Sequence, residues 1–261
     1  MYLSEFFADD PSAHGCLRCR DTDAALDMAL QMAFQPIVDV VRREVFAWEA
    51  LVRGPEGQGA GWVLERVTPD MLYRFDQTCR VLAIATAARL GLGASRLSIN
   101  FVPNAVYEPA SCIRLTLAAA TKVGLSAEQL MFELTENERI IDPKHALSIL
   151  SYYHRRGFVT AIDDFGAGFA GLNLLAQFQP QVLKIDMELV RGIDHHRARQ
   201  VVVGGILRMA GEFGSQVVAE GVETEGEYAW LRAHGVRMFQ GYYFARPEIG
   251  LLPQPDWSRV G

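Results

Sequence analysis

Short apolar runs alternate with longer amphipathic segments along the chain from about residue 30 onward. The runs are rich in β-branched and aromatic residues, which is typical of buried strands, and the segments between them have helical spacing. The predicted strands are 32–39, 45–53, 97–102, 130–135, 158–164, 182–186, 216–220 and 236–243. Strands that alternate with helices indicate a mostly parallel α/β sheet, and eight of them favour a TIM-like (β/α)8 barrel.

The segments between the runs carry helix boundary signals. Asp142 before Pro143 is a typical helix start, and Gly157 is a typical end. Thr224 and Glu227 have the spacing of a capping box. These signals support the alternation of strand and helix that a barrel requires.

Only a few residues, around 41–43, separate the first two strands. Because a parallel connection needs a helical crossover, these two strands should pair antiparallel. Residues 1–20 are polar and irregular, so we expect an N-terminal arm there and one domain over 21–261.

The composition narrows the function. Of 261 residues, 50% are hydrophobic and 21% charged, which suits a globular domain with a large core. The net charge of −6 disfavours an electrostatic grip on duplex nucleic acid. The chain shows neither a signal peptide nor an apolar stretch of membrane-spanning length, so we expect a cytoplasmic protein with no membrane partner. Cys16 and Cys19 form a lone C-x-x-C pair, for which a metal or redox role is open but an incidental one is favoured.

A polar or charged residue stands at the C-terminal end of most predicted strands. These residues are Glu49, Asn100, Glu133, Asp163 with Asp164, Lys184, Glu220 and Gln240. In a barrel, the C-terminal ends of the strands converge on the rim that carries the chemistry. We therefore expect these side chains to form one site.

Five carboxylates would meet at that site. Carboxylates so close together must bind protons or cations, and oxygen ligands favour Mg²⁺, Mn²⁺ or Ca²⁺ over Zn²⁺. The neighbours Asp163 and Asp164 suit a bridge between two ions. Because paired divalent ions commonly activate water for displacement at phosphorus, metal-assisted phosphodiester hydrolysis is the leading hypothesis.

Each residue alone also has a structural explanation. Asp164 could belong to a capped turn, and Lys184 with Asp186 could be a surface ion pair. Glu220 could lie in a loop or helix start, and Asn100 could cap a helix. The joint occurrence of polar residues at so many strand ends favours the functional interpretation.

The motifs that carry chemistry occur in the order typical of one family. They are Phe34-Gln35-Pro36-Ile37-Val38, Glu49-Ala50-Leu51-Val52-Arg53, Ser98-Ile99-Asn100, Glu133-Leu134-Thr135-Glu136, Asp163-Asp164-Phe165-Gly166, Lys184-Ile185-Asp186, Val218-Ala219-Glu220-Gly221-Val222-Glu223 and Gln240-Gly241-Tyr242. Over about residues 25–250 the chain resembles the EAL-domain family of cyclic di-GMP phosphodiesterases. The resemblance implies a barrel with one antiparallel strand near its N-terminus, hydrolysis of cyclic di-GMP to linear pGpG, and a homodimer.

The resemblance also implies roles for individual residues. Two ions, Mg²⁺ or Mn²⁺, would be held by Glu49, Asn100, Glu133, Asp163, Asp164 and Glu220. The catalytic group would comprise Glu49, Lys184, Glu220 and Glu223, with Lys184 orienting the attacking water and helping to deprotonate it. The substrate would contact Gln35, Arg53, Asp186 and Gln240. Glu136 would brace the loop after Asp164, and Ca²⁺ would inhibit.

The sequence also departs from the family pattern. Ala167 and Ala170 stand where many members place hydroxyl residues. The alternative function is a catalytically silent module that binds cyclic di-GMP or contacts another protein. Because every implied ligand is present, we favour the enzyme.

Overall fold

The fold alternates strands and helices along the chain, in a computed structural model that describes residues 28–135, 142–168 and 171–260. The strands are β1 (Gln31–Asp39), β2 (Glu44–Arg53), β3 (Arg96–Asn100), β4 (Leu130–Thr135), β5 (Val159–Phe165), β6 (Val182–Ile185), β7 (Gln216–Ala219), β8 (Met238–Phe239) and β9 (Glu248–Ile249). The α-helices are α1 (Ala60–Leu64), α2 (Leu72–Leu90), α3 (Pro109–Cys112), α4 (Arg114–Val123), α5 (Pro143–Arg155), α6 (Gly171–Gln177), α7 (Met187–Val190), α8 (Arg197–Phe213) and α9 (Glu225–Ala233). Short 3-10 turns lie at Pro69–Met71, Pro103–Ala105, Ala127–Gln129 and Trp257–Arg259.

The sheet closes into a barrel. Strands β2 to β8 pair in parallel in chain order, and β1 closes the ring by pairing antiparallel with both β2 and β8. The short β9 adds to β1. The predicted barrel and its single antiparallel strand are therefore confirmed.

A tight turn explains the antiparallel start. Oδ1 of Asp39 accepts hydrogen bonds from the backbone N–H of Val41 (2.9 Å) and of Arg42 (3.0 Å). This side chain satisfies the turn's backbone, so the chain reverses at once and β2 runs back beside β1. Gln35 consequently lies directly opposite Glu49 in the register of the two strands.

The interior of the barrel and the layer outside it are separate apolar cores. The interior core consists of Ile37, Phe46, Ala47, Met131, Val159, Ala161, Val182, Val218 and Met238. A larger core fills the space between the outer face of the sheet and the helices. The interior core fills only part of the barrel. The polar residues in the barrel therefore lie above this apolar layer.

The predicted helix boundaries are observed. The side chain of Asp142 accepts hydrogen bonds from the backbone N–H groups of the first turn of α5, and Thr224 and Glu227 form the capping box of α9. None of the helices within the described ranges combines the length and hydropathy of a membrane-spanning segment. The arm at residues 1–20, including Cys16 and Cys19, lies outside the described residues, as does Ala170.

The last predicted strand, 236–243, is longer than the observed β8. The chain turns after Gln240, where its backbone binds the β7 loop: Val222 donates its N–H to the carbonyl of Gln240 at 3.1 Å, and Tyr243 donates to the carbonyl of Val222 at 3.0 Å. Gly241 lies so close to Val222 that an added Cβ would clash with the backbone of Val222. These backbone hydrogen bonds with Val222 take the place of further pairing between β8 and its neighbours.

Candidate active site

The polar residues at the strand ends point into the barrel. Side chains alternate between the two faces of a strand, so residues two positions apart share a face. Glu49 follows the interior residue Ala47 by two positions, and Glu133 follows Met131 in the same way. The same spacing from an interior apolar residue holds for Asp163, Lys184, Glu220 and Gln240. The site therefore forms a polar layer directly above the interior core.

Lys184 lies at the centre of this layer, and its side chain is fully buried. The distances from its Nζ are 2.6 Å to Glu220 Oε1, 2.8 Å to Glu133 Oε2, 2.8 Å to Asp163 Oδ1 and 3.4 Å to Glu49 Oε2. One ammonium thus contacts four carboxylates from four other strand ends. This geometry excludes the alternative of a surface ion pair between Lys184 and Asp186.

The electrostatics of the cluster follow from burial. Burial raises the pKa of Glu133 to about 8 although Lys184 lowers it, and the neighbouring carboxylates raise it further. Burial and Asp163 raise the pKa of Asp164 to about 6, and burial also raises that of Glu220 well above its usual value. Burial would lower the pKa of Lys184, but the surrounding carboxylates raise it, so this side chain is an ammonium. The cluster therefore binds protons at neutral pH unless further cations enter it.

Asp163 and Asp164 face the same site although they are neighbours on β5. Adjacent residues of a regular strand face opposite ways, but Asp164 has a left-handed backbone (φ 52°), and the β5–β6 register shifts between Ile162 and Phe165. Aspartate tolerates this conformation better than most residues. The irregularity brings oxygen atoms of both aspartates within 4.8 Å of one another and of a Glu220 oxygen.

Amide and hydroxyl groups orient the carboxylates. Asn100 Nδ2 donates to Glu49 Oε1 at 3.0 Å, and Gln240 Nε2 donates to Glu49 Oε2 at 2.6 Å. Gln240 Nε2 also lies 3.4 Å from Gln35 Oε1, while Ser98 donates its hydroxyl to Glu133 Oε1. Both carboxylates are thus held in fixed orientations.

Two groups of carboxylates have the spacing of metal ligands. One contains Glu49, Glu133 and Asp163, the other Asp163, Asp164 and Glu220, and within each group the ligand oxygens lie within 4.8 Å of one another. Asp163 is common to both groups. The buried Gln240 Oε1 accepts no hydrogen bond from the described residues. A donor set made of oxygens fits hard divalent ions such as Mg²⁺ and Mn²⁺.

Other predicted site residues lie apart from the cluster or beside it. Glu223 Oε1 accepts a hydrogen bond from Arg191 Nη2 at 2.9 Å, and its side chain is 42% exposed. Arg53 Nη1 donates to the carbonyl of Val52 at 2.9 Å, so this guanidinium turns to its own strand end. Asp186 is buried and caps α7 by accepting from the N–H of Glu188 at 2.9 Å. Glu136 lies outside the described residues.

The sequence did not indicate that two further residues, Ser98 and Glu227, support the site. Ser98 lies two positions before Asn100, so the period of the strand would have placed it on the same inward face. Glu227 is buried and accepts hydrogen bonds from the backbone N–H of Gly192 (2.8 Å) and of Glu223 (2.9 Å). It thereby ties the loop after β6 to the loop after β7, and the capping-box spacing alone could not reveal this connection.

Known proteins resemble the chain over most of its length. The blue light- and temperature-regulated antirepressor BluF of Escherichia coli K12 is 33% identical over 86% of this chain and 56% of its own length. The probable cyclic di-GMP phosphodiesterase PdeB of the same organism is 28% identical over 91% of this chain and 45% of its own. The chain thus spans about half the length of these curated relatives.

Solved structures give a closer match. A standalone EAL protein of Vibrio cholerae O395, in its c-di-GMP-bound form, is 50% identical over 90% of this chain and 99% of its own, with a TM-score of 0.86. The manganese and cyclic di-GMP complex of Klebsiella pneumoniae BlrP1 is 34% identical over 95% of this chain and 66% of its own, with a TM-score of 0.80. The EAL domain model matches residues 22–247, and the chain therefore belongs to the EAL domain family.

Proposed function

We propose that the chain hydrolyses cyclic di-GMP to linear pGpG with the help of two divalent ions. One observation carries the proposal: four inward-facing carboxylates contact Lys184, and together with Asp164 they form two ligand groups that share Asp163. The complexes of the V. cholerae and K. pneumoniae proteins with cyclic di-GMP support the choice of substrate.

The metal ions would offset the negative charge of the carboxylates, which otherwise repels the substrate. A phosphodiester carries a negative charge, and a carboxylate-rich pocket repels it unless cations reverse the local sign. Glu49, Asn100, Glu133 and Asp163 would hold one ion, and Asp163, Asp164 and Glu220 the other. When bound, such ions lower the pKa of water and offset charge on the phosphoryl oxygens.

Lys184 supplies a charged hydrogen-bond donor to this site. Its ammonium lies within 3.4 Å of four carboxylates, which hold its pKa well above the usual value. A protonated amine orients a water molecule but cannot accept its proton. We therefore assign Lys184 the orienting part of its expected role, and a neighbouring carboxylate the deprotonation.

The substrate contacts involve residues at the edge of the cluster. Gln35 lies opposite Glu49 across the β1–β2 pair, and Gln240 holds Glu49 from the other side. Arg53 lies four residues after Glu49 on β2, where its guanidinium can leave the Val52 carbonyl for a phosphate. Asp186 would act through the backbone it caps, and Glu223 through Arg191.

Product analysis tests the proposal. Purified protein is incubated with cyclic di-GMP and Mn²⁺ or Mg²⁺, and the nucleotides are separated by chromatography. We expect pGpG from the wild type and none from Glu49→Ala. Glu44→Ala, an exposed residue of the same strand β2, is the matched control and should retain activity. Intact nucleotide from the wild type in both metals would overturn the proposal.

A second function is favoured by one relative. BluF carries the name of an antirepressor rather than of a phosphodiesterase, which favours a module without hydrolytic activity as the second candidate. A silent module would bind cyclic di-GMP without consuming it over time, in Ca²⁺ as well as in Mn²⁺. Four expectations stay predictions: Mg²⁺ or Mn²⁺ as the resident ions, inhibition by Ca²⁺, a homodimer and a cytoplasmic location.

A further inference from the structure

We propose that Arg80 is a positioning residue for the metal ligands Asn100 and Glu133, acting on them from the outer side of the sheet. The proposal rests on the proposed function, because it takes those two side chains as ligands. Arg80 belongs to α2 and lies outside the barrel interior, so it touches neither ion nor substrate.

Three contacts with two side chains, Asp76 and Tyr153, fix the guanidinium of Arg80, which is fully buried. Its Nε lies 2.8 Å from Asp76 Oδ2, and its Nη2 donates to Asp76 Oδ1 at 3.2 Å. Its Nη1 donates to the hydroxyl of Tyr153, on α5, at 2.9 Å. Nη1 and Nη2 thus donate hydrogen bonds and Nε forms an ion pair, so the planar group is held in one orientation.

Asp76 connects the fixed guanidinium to the backbone that follows β3. Its Oδ1 also accepts a hydrogen bond from the backbone N–H of Val102 at 3.1 Å, two residues after Asn100. The N–H of Phe101 donates to the carbonyl of Glu133 at 3.2 Å. The chain that leaves Asn100 is therefore fixed on one side by α2 and on the other by β4.

Two aromatic rings carry the constraint to the ligands themselves. The guanidinium carbon of Arg80 lies 5.6 Å from the ring centre of Phe101 and 5.3 Å from that of Phe132. Phe101 follows Asn100 directly, and Phe132 directly precedes Glu133. Neighbouring residues of a strand face opposite ways, so rings held outside the sheet set the direction of the ligands inside it.

A packing role alone does not explain an ion pair at this place. Apolar side chains of similar volume often stabilise a core as well as a buried ion pair does, or better. The charged pair adds a fixed orientation of the groups around it, and metal affinity depends on the position of the ligands that these groups hold. Losing a direct hydrogen-bond partner of a ligand typically weakens metal binding by about 10- to 100-fold, and Arg80, which acts through neighbours of the ligands, should have a smaller effect.

The test compares variants in metal affinity and in ligand position. Arg80→Lys keeps the charge but loses the planar fork, and Tyr153→Phe removes one hydroxyl that Arg80 uses. Tyr228→Phe removes a buried hydroxyl that has no hydrogen-bond partner among the described residues, and is the matched control. Val203→Ala, a buried change in α8, controls for lost stability. Calorimetry gives the Kd for Mn²⁺, and the NMR signals of the Asn100 side-chain amide in metal-free protein report its position.

We expect Arg80→Lys to raise the Kd for Mn²⁺ several-fold, up to about tenfold, the lower end of the effect of losing a direct partner of a ligand. Tyr153→Phe should raise it by a smaller factor. Both should shift the Asn100 amide signals, while Tyr228→Phe and Val203→Ala leave the Kd and the signals at wild-type values. Unchanged Kd and signals in Arg80→Lys would overturn the proposal. If that variant fails to fold, unchanged Kd and signals in Tyr153→Phe would overturn it instead. If the wild type binds no Mn²⁺, the proposed function fails, and the Asn100 signals alone still decide whether Arg80 positions that residue.

Discussion

Lys184→Met separates the two tasks of the central ammonium, which are to offset buried carboxylates and to donate a hydrogen bond. Methionine keeps an unbranched side chain and removes the charge. In the metal-free protein, Glu49, Glu133, Asp163 and Glu220 then lose their common partner. Removing one partner of a buried ion pair typically costs about 3–5 kcal/mol. We expect Lys184→Met to lower the free energy of unfolding by that amount at about pH 9, and by less near pH 6. The reason is that Glu133, with a pKa of about 8 even beside the ammonium, takes up a proton at the lower pH.

The effect on turnover should differ from the effect on metal binding. Loss of a charged donor at a reaction site lowers turnover by roughly 10²- to 10³-fold. Mn²⁺ should bind Lys184→Met no more weakly than wild type, because a positive charge has left the ligand cluster. Product chromatography at saturating Mn²⁺, calorimetry, and urea unfolding with a chelator present measure the three quantities. Lys144→Met makes the same change at an exposed lysine and should leave all three unchanged.

Two results would refute this reasoning. If Lys184→Met keeps more than about a tenth of wild-type turnover, the ammonium is not the donor that the reaction needs. If turnover falls only in proportion to lost Mn²⁺ binding, the side chain serves to shape the ligand cluster, and its role in orienting water is wrong.

Three further predictions concern the carboxylate cluster and the loops beside it. The affinity for Mn²⁺ should rise as pH increases, because protons on Asp164 (pKa about 6) and Glu133 (pKa about 8) compete with the ion, and a flat calorimetric profile from about pH 5.5 to 9 would contradict this. Glu227→Gln should destabilise the fold by about 1–3 kcal/mol in urea, because backbone N–H groups lose a charged acceptor. Burial would raise the pKa of Glu227 but those N–H groups lower it, so the wild type should lose this stability as pH falls below the ordinary glutamate value, with no such loss in the variant. Gly241→Ala should cost about 2 kcal/mol or more, because its Cβ would meet the backbone of Val222, and an unchanged unfolding midpoint would show that this contact yields freely.

Periodicity was sufficient to predict the barrel and most of its strands. Runs of buried residues determine the strands, and the short connection around 41–43 determines the antiparallel pair, since a helix cannot fit there. The strand at 236–243 was predicted too long because its end is set by the backbone of Val222, which is distant in sequence. Local pattern contains no information on such a contact.

The polar layer was predicted as a set, but its internal arrangement was not. The strand ends predicted which residues meet, whereas the central position of Lys184 depends on how four other strands close around it. The left-handed backbone at Asp164 likewise depends on the β5–β6 register shift. The support from Arg80 could not be predicted, because an arginine within a helical pattern is usually exposed.

Hydrolysis in ¹⁸O-labelled water distinguishes a phosphodiesterase from a module that only binds cyclic di-GMP. Attack of water at phosphorus breaks one P–O3′ bond, forms one new P–O bond and returns a proton to the leaving 3′ oxygen. We expect pGpG with one ¹⁸O atom on its 5′-phosphate in Mn²⁺, and no pGpG from Asp163→Asn, since Asp163 belongs to both ligand groups. Cyclic di-GMP that stays bound, intact and unlabelled in the wild type would contradict the account and leave the chain as a binding module.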